Sequence, residues 1–263
     1  MSAHGGLAGP EEFVYSPRHG LVADIHRARA PDAPAALYLH GGGFQRGGRR
    51  DDPGRLSELA AHGLTIISID YRLAPTWRYP APVEDVRRAA EAVRERGRDL
   101  GLPTTALGVI GASAGGYLAA ASALQPHAGA RPFDAVSAWF AATDLVESTR
   151  RSPLEGRMTP VTYEHALLGE DADETRIRAA SPAHWSLRDA PPFLLVHGDS
   201  DRIVPPGQSV AFHEALRRAG SDTTLVRLGA AGHEDPAFDG APVLALVAGW
   251  MSAQLRAVRE GHR

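Results

Sequence analysis

The chain contains no cysteine, no lysine and no asparagine, so all 28 of its basic side chains are arginine. Without cysteine there is neither a disulfide nor a thiol nucleophile. Without lysine there is no Schiff-base lysine and no P-loop lysine, and without asparagine there is no acceptor for N-glycosylation. These absences exclude several classes of covalent and nucleotide chemistry.

The chain also lacks a strong net charge and a long apolar run. Its 31 acidic and 28 basic residues nearly cancel, so we expect no nucleic-acid or anionic-membrane partner and instead a small-molecule substrate. No run reaches the roughly 18 apolar residues of a membrane span, and residues 1–12 do not resemble a secretory signal. The histidines show no metal-ligand spacing, so no metal or other cofactor is expected. We expect a soluble cytoplasmic protein, with its oligomeric state open.

Short apolar segments alternate with helical ones, which is typical of a mostly parallel sheet covered by helices on both faces. A single α/β domain spanning 1–263 is expected at this length. The predicted strands are Phe13–Tyr15, Leu21–Arg27, Ala35–Leu39, Leu64–Ile69, Leu107–Ile110, Ala135–Phe140, Phe193–Val196 and Leu225–Leu228. The predicted helices are Leu56–His62, Val83–Arg96, Tyr117–Leu124, Gly207–Ala219 and Pro242–Val258. In the last helix we expect to find buried Val243, Leu246, Val247, Trp250 and Leu255.

The sequence Gly111-Ala112-Ser113-Ala114-Gly115 lies between a predicted strand and a predicted helix. Glycines two residues either side of a serine let the chain turn sharply from strand to helix. The serine is then exposed at a helix N-terminus, where backbone N–H groups favour negative charge on a bound oxygen. This pattern predicts a nucleophile elbow, and the alternative is a glycine-rich turn without chemistry.

Segments upstream and downstream of Ser113 contain groups that would serve such a nucleophile. One predicted strand ends in His40-Gly41-Gly42-Gly43-Phe44, and Asp201 and His233 each follow a later strand. A serine hydroxyl needs a base to take its proton, for which the imidazole of His233 is suited. A carboxylate then orients that imidazole, and we predict Asp201 for this role, with Asp144 as the alternative.

These ordered motifs resemble those of the α/β-hydrolase superfamily, and within it the esterase and lipase group near hormone-sensitive-lipase-like and feruloyl-esterase-like enzymes. The resemblance covers roughly residues 20–258. It implies an oxyanion hole formed by the N–H groups of Gly42, Gly43 and Ala114. Only 39 residues precede His40, too few for an N-terminal helical cap, so the capless branch fits better.

The 34 residues from Leu145 to Arg178 interrupt the strand and helix alternation. A long insertion in a compact domain is usually functional. Related enzymes often place lid helices after their sixth strand, so we predict that 145–178 is a lid or pocket insertion. Ordinary packing of a surface excursion is the alternative.

Several large side chains are candidates for the acyl and alcohol pockets, although each could equally belong to the core. They are Phe44, Trp77, Tyr79, Tyr117, Trp139, Phe140, Met158 and Tyr163. We expect His40 and His197 to be structural. Asp199, Asp235 and Asp70 are weaker candidates for the acid, because we expect the first two to be loop residues and Asp70 to organise the turn around Arg72.

The sequence therefore predicts a serine hydrolase of carboxylic esters with small to medium acyl chains, acting through an acyl-enzyme. The same triad could serve an amidase such as an arylformamidase, or a biosynthetic cyclase or acyl transferase. A ligand-binding receptor on the same fold is the alternative from outside the enzymes.

Overall fold

An eight-stranded sheet forms the centre of the computed structural model, which describes residues 10–125, 131–149 and 162–261. The strand order is β1-β2-β4-β3-β5-β6-β7-β8, with antiparallel pairing only as far as β4 and parallel pairing from β4 onward. This confirms the predicted mostly parallel sheet. The strands are β1 (Glu11–Ser16), β2 (Leu21–His26), β3 (Ala35–Leu39), β4 (Thr65–Ile69), β5 (Leu107–Ala112), β6 (Ala135–Trp139), β7 (Phe193–Gly198) and β8 (Thr223–Leu228).

Helices cover both faces of this sheet. They are α1 (Pro53–Ala61), α2 (Ala81–Arg96), α3 (Ala114–Leu124), α4 (Leu145–Thr149), α5 (Tyr163–Leu168), α6 (Glu174–Ala179), α7 (Gly207–Arg218) and α8 (Ala241–Gly261). Apolar side chains of α2, α3 and α7 belong to one core cluster, and those of α1 and α8 to a second one. Successive residues of β3 alternate between the two clusters, because side chains of a strand point to opposite faces. Short 3-10 helices lie at Pro17–His19, Pro182–His184 and Pro236–Asp239.

Helix α8 is present as predicted, but its buried face differs. The side chains that face the sheet are Leu244, Val247, Ala248, Met251 and Leu255. Leu246 is 43% exposed, and Val243 and Trp250 are only partly buried. The prediction for these three residues was wrong because a helix that is apolar on most sides does not specify which stripe meets the sheet.

Within the described ranges, α8 is also the one helix whose length and composition would allow it to cross a membrane. Its most apolar 18-residue window is 28% buried inside the protein. One such helix is weak evidence for a span, because a helix that covers a sheet can pass the same test.

One acid, Asp70, pairs differently from the prediction. The carboxylate of Asp70 binds Arg49, with 2.6 Å between Oδ2 and Nη1, and not Arg72. Arg72 instead donates from Nε to Oδ2 of Asp85 on α2 at 2.7 Å. Asp85 is fully buried, and a buried carboxylate requires such a partner. The prediction for Asp70 used only its nearness in sequence to Arg72, which does not determine the pairing.

The carboxyl ends of the parallel strands meet at one edge of the sheet, where ligands of open α/β sheets bind. The residues that follow β3, β5, β6, β7 and β8 at this edge include His40, Ser113, Asp144, Asp201 and His233.

Candidate active site

Ser113 lies at a strained turn between the end of β5 and the start of α3. Its backbone φ is 54° and its ψ is −115°, a conformation that non-glycine residues rarely adopt. A β-carbon on Gly111 would collide with the carbonyl of Gly115, and one on Gly115 would collide with the carbonyl of Leu39. Both flanking glycines are therefore required for the turn, which presents the Ser113 side chain at the N-terminus of α3.

The hydroxyl of Ser113 is hydrogen-bonded to His233, with 2.8 Å between Oγ and Nε2. On the other side of the ring, Nδ1 lies 2.7 Å from Oδ2 of Asp201. An ionised carboxylate only accepts hydrogen bonds, so Nδ1 carries the proton and Nε2 is free to accept the Ser113 proton. The structure thus brings together the three residues that the sequence predicted as nucleophile, base and acid.

Asp201 is held by four donors, and its side chain is fully buried. Oδ1 accepts the backbone N–H groups of Ile203 and Val204 at 2.8 and 2.9 Å, while Oδ2 accepts from His233 and, at 3.1 Å, from His197. Burial raises the pKa of Asp201, but the hydrogen bonds from the two histidines and the charge of His233 outweigh it and lower the pKa well below its usual value. The carboxyl is therefore ionised at neutral pH.

Gly42, Gly43 and Ala114 line the same cavity as Ser113. Gly42 has a φ of 108°, and a side chain there would collide with the carbonyl of Arg46. Within the described residues no acceptor is hydrogen-bonded to the Gly42 or Gly43 N–H. N–H donors without an acceptor suit a negatively charged ligand oxygen, and the oxyanion hole at Gly42, Gly43 and Ala114 stays a prediction.

His40 stabilises the glycine loop of residues 41–43 through its side chain. Its Nδ1 lies 2.7 Å from the carbonyl oxygen of Gly41, and its ring stacks on Tyr71 with 4.3 Å between centroids. Burial lowers the pKa of His40, so the ring is neutral and donates from Nδ1 to that carbonyl. This contact agrees with the structural role expected for His40.

The cavity lined by Ser113 and His233, called the first cavity below, has a volume of about 180 Å³. Of the side chains predicted to form pockets, Phe44 and Tyr163 line it. Its other walls come from Arg46, Ala142, Ile203, Val204 and Glu234.

The structure places the other predicted pocket residues elsewhere, apart from Met158, which lies outside the described residues. Tyr117 is buried in the core and donates its O–H to the carbonyl of Ala180 at 2.7 Å. Trp139 packs on the opposite face of the sheet, where the guanidinium of Arg55 lies over its ring. The ring of Phe140 packs against that of His233, with 4.8 Å between their centroids.

The remaining two aromatic candidates also lie outside the cavity walls. Trp77 is 43% exposed and stacks on Arg72, and Tyr79 accepts a hydrogen bond from Gln125. Sequence alone does not separate a cavity wall from core or surface packing, because both use the same large apolar side chains.

The other candidate acids do not contact His233. Asp144 accepts hydrogen bonds from the backbone N–H groups of Val146 and Glu147 and thereby caps α4. Asp199 pairs with Arg227 at 2.7 Å, and Asp235 accepts the N–H of Ala237 at 2.9 Å. Asp199 and Asp235 thus are loop residues, as predicted.

The sequence reasoning missed the groups that surround Asp201. The backbone donors at Ile203 and Val204 follow from the tendency of aspartate to bind N–H groups two and three residues later, a local signal that was present. The contact from His197 carries no such signal. Within the described part of the chain, no cluster of three or more histidine, aspartate or glutamate side chains could hold a metal ion.

A mostly parallel sheet with a serine elbow after β5 is the α/β-hydrolase fold, and solved esterase structures superpose on this chain. A family model described as BD-FAE matches residues 24–216, so the chain belongs to the BD-FAE family.

Curated relatives include two proteins of Mycobacterium tuberculosis. The chain is 32% identical to esterase LipC over 245 residues and 32% identical to esterase LipQ over 202 residues. These matches cover 87% and 73% of this chain, but only 60% and 47% of the relatives' lengths. A solved esterase from Thermogutta terrifontis, Est2 with propionate bound, superposes with a TM-score of 0.75 at 25% identity, covering 92% of this chain and 93% of that one.

Proposed function

We propose that the protein is a serine hydrolase that cleaves carboxylic esters through an acyl-enzyme. The observation that carries this proposal is the continuous hydrogen-bonded series Ser113 Oγ to His233 Nε2 at 2.8 Å and His233 Nδ1 to Asp201 Oδ2 at 2.7 Å. The family membership and the esterase relatives support the same reaction class.

In the proposed first half-reaction, Ser113 Oγ attacks the ester carbonyl carbon as its proton passes to Nε2 of His233. The carbonyl oxygen becomes an oxyanion that accepts hydrogen bonds from the N–H groups of Gly42, Gly43 and Ala114. The ester C–O bond then breaks, and His233 returns the proton to the departing alcohol oxygen. Ser113 is left acylated.

In the second half-reaction, water takes the place of the alcohol. His233 removes a proton from the water as it attacks the acyl carbon, and the proton returns to Ser113 Oγ as the carboxylic acid leaves. Asp201 stays ionised throughout because its lowered pKa does not allow it to take the proton, and its charge stabilises the imidazolium.

Small to medium acyl groups are the proposed substrates. The cavity of about 180 Å³ has room for a short chain beside Ser113, and Est2, a solved relative, holds propionate. A lid formed by 145–178 and a cytoplasmic location remain predictions. Of the proposed lid, α4, α5 and α6 are described, while 150–161 lies outside the described residues.

The test is a panel of nitrophenyl esters from acetate to decanoate together with one aryl formamide. We expect hydrolysis of the short esters and covalent labelling by a fluorophosphonate. Cleavage of the formamide alone would replace the esterase with an amidase. Absence of both hydrolysis and labelling in folded protein would favour a receptor.

A further inference from the structure

A second histidine contacts the carboxylate that orients His233. His197 lies near the end of β7 and is fully buried. Its Nε2 is 3.1 Å from Oδ2 of Asp201, the same oxygen that lies 2.7 Å from Nδ1 of His233. One carboxylate oxygen is therefore shared between two imidazoles.

The partners of His197 determine which of its nitrogens carries the proton. Besides Asp201, Nε2 lies 2.9 Å from the carbonyl oxygen of Val204, and both of these oxygens only accept. Nε2 is therefore protonated and donates to both. Nδ1 lies 2.7 Å from the hydroxyl of Ser209, which donates to it in the neutral ring.

The result is a series of hydrogen bonds that runs from Ser209 through His197, Asp201 and His233 to Ser113, buried as far as Asp201 and part-buried beyond it. Every polar atom of His197 has a partner within it. A fully satisfied buried network of this kind fixes the positions of its members, since any other arrangement leaves a buried polar group unpaired.

Groups on the neighbouring elements bear on the charge around His197. Its carboxylate partner is ionised Asp201, with His233 beyond it, and the hydroxyl of Ser209 faces it from α7. Trp139, the β6 residue beside this end of β7, and Phe140 after it are uncharged. On β8, Arg227 is in register with His197, but its Nε pairs with Asp199 at 2.7 Å and its side chain is 53% exposed. Arg202, next to Asp201, is exposed.

We propose that His197 is a positioning residue that holds Asp201 in place and, by sharing its Oδ2, limits how strongly that carboxylate stabilises protonated His233. This inference rests on the proposed function, because it assigns His197 a role in the same triad. His197 does not touch the reacting atoms and is not itself catalytic.

The expected consequence has a definite sign. Removing the His197 N–H leaves more negative charge on Oδ2, which favours the imidazolium form of His233. The imidazole of His233 then keeps its proton to higher pH, so the midpoint of the acid limb of the pH–rate profile shifts to higher pH. A role in folding alone would lower the amount of active protein without moving that limb.

Three variants separate these roles. His197→Phe keeps a ring of similar size but removes both nitrogens, whereas His197→Gln keeps an amide N–H near the position of Nε2. Ser209→Ala keeps His197 and removes only the donor to its Nδ1, which makes it the milder test if His197→Phe does not fold. Leu195→Ala is the matched control, since Leu195 is also buried, lies two residues earlier on the same face of β7 and has no side-chain group that could hydrogen-bond to the triad.

The measurements are the pH dependence of kcat/KM for nitrophenyl acetate and the NMR titration of the His233 ring, assigned with His233→Gln. For His197→Phe we expect both midpoints to rise by about half a unit or more and kcat/KM at neutral pH to fall about tenfold. Ser209→Ala should show a smaller rise in both midpoints. His197→Gln and Leu195→Ala should each keep the wild-type midpoints.

Unchanged midpoints in both His197→Phe and Ser209→Ala would overturn the inference, as would an equal shift in Leu195→Ala. The NMR titration does not require turnover. If the wild-type protein hydrolyses no ester, the proposed function fails, while the ring titration still decides the role of His197.

Discussion

Two cavities open near the carboxyl edge of the sheet, and each has an aspartate–histidine pair beside it. The first cavity, about 180 Å³, contains Ser113 and His233, with Asp201 behind the histidine at 2.7 Å. The second cavity, about 440 Å³, is lined by Asp144 and His184, whose Oδ1 and Nε2 are 3.2 Å apart. The larger cavity therefore does not contain Ser113.

The two pairs differ in what contacts the imidazole nitrogen that does not face the aspartate. Nε2 of His233 meets the hydroxyl of Ser113, which has a proton to give. Nδ1 of His184 lies 3.3 Å from Nη1 of Arg178, a guanidinium that does not lose its proton in proteins. Although both pairs join an acid to a base, only the first has a group that the base can activate. The group that contacts this second nitrogen thus distinguishes the two pairs better than cavity size does.

Replacing Ser113 with alanine removes the feature that separates the two pairs, and it should have the largest effect. We expect the rate of ester hydrolysis to fall by about six orders of magnitude, because triad members act as a unit. Steady-state kinetics on purified protein gives the measurement, with Ser57→Ala on the surface of α1 as the control. Retention of more than about one percent of wild-type turnover would contradict a Ser113 nucleophile.

Replacing each aspartate in turn with asparagine compares the two pairs directly. Asp201→Asn should lose roughly four orders of magnitude in kcat, since an amide at this position favours the wrong tautomer of His233. Asp144→Asn should change kcat little, because Asp144 caps α4 and does not contact His233. If kcat fell more in Asp144→Asn than in Asp201→Asn, the acid would have to be reassigned to Asp144.

The acyl-chain preference tests whether the first, smaller cavity is the one that receives substrate. Each buried methylene contributes about 0.8 kcal/mol, roughly a fourfold change, only while there is wall to contact it. We expect kcat/KM to rise from acetate to butyrate or hexanoate and then to fall. A steady increase through dodecanoate would mean that residues of 145–178 build a deep acyl channel and that the proposed preference for small to medium acyl groups is wrong.

The smallest expected effect concerns stability in acid. The pKa of Asp201 is lower in the folded than in the unfolded protein, so its contribution is present above the unfolded value of about 4 and is lost as pH falls toward the folded value. In urea unfolding, wild type should exceed Asp201→Asn by on the order of 1 kcal/mol at pH 6, and the difference should shrink by pH 3. A difference that grows toward low pH would contradict the lowered pKa.

The parts of the fold that the sequence predicted are those with a local signal. The parallel strands were predicted because each is short and apolar, and Ser113 because its flanking glycines allow one specific turn. Asp201 and His233 could be predicted because each follows a strand, and the carboxyl ends of parallel strands meet at one edge.

The errors and omissions depend on contacts between distant segments. The buried face of α8, the pairing of Asp70 with Arg49, and the shared carboxylate between His197 and His233 are all decided by packing. The aromatic candidates show the same limit. Phe44 lines the cavity while Trp139 lies on the other face of the sheet, although both follow or end apolar strands.

The most direct test of the account is to find which residue a fluorophosphonate modifies. Wild-type protein should be labelled once per chain, and digestion followed by mass spectrometry should place the label on Ser113. Labelling should be lost in Ser113→Ala, strongly slowed in Asp201→Asn and unchanged in Asp144→Asn. A label on another residue, or ester hydrolysis by folded protein in which Ser113 is never modified, would contradict the account.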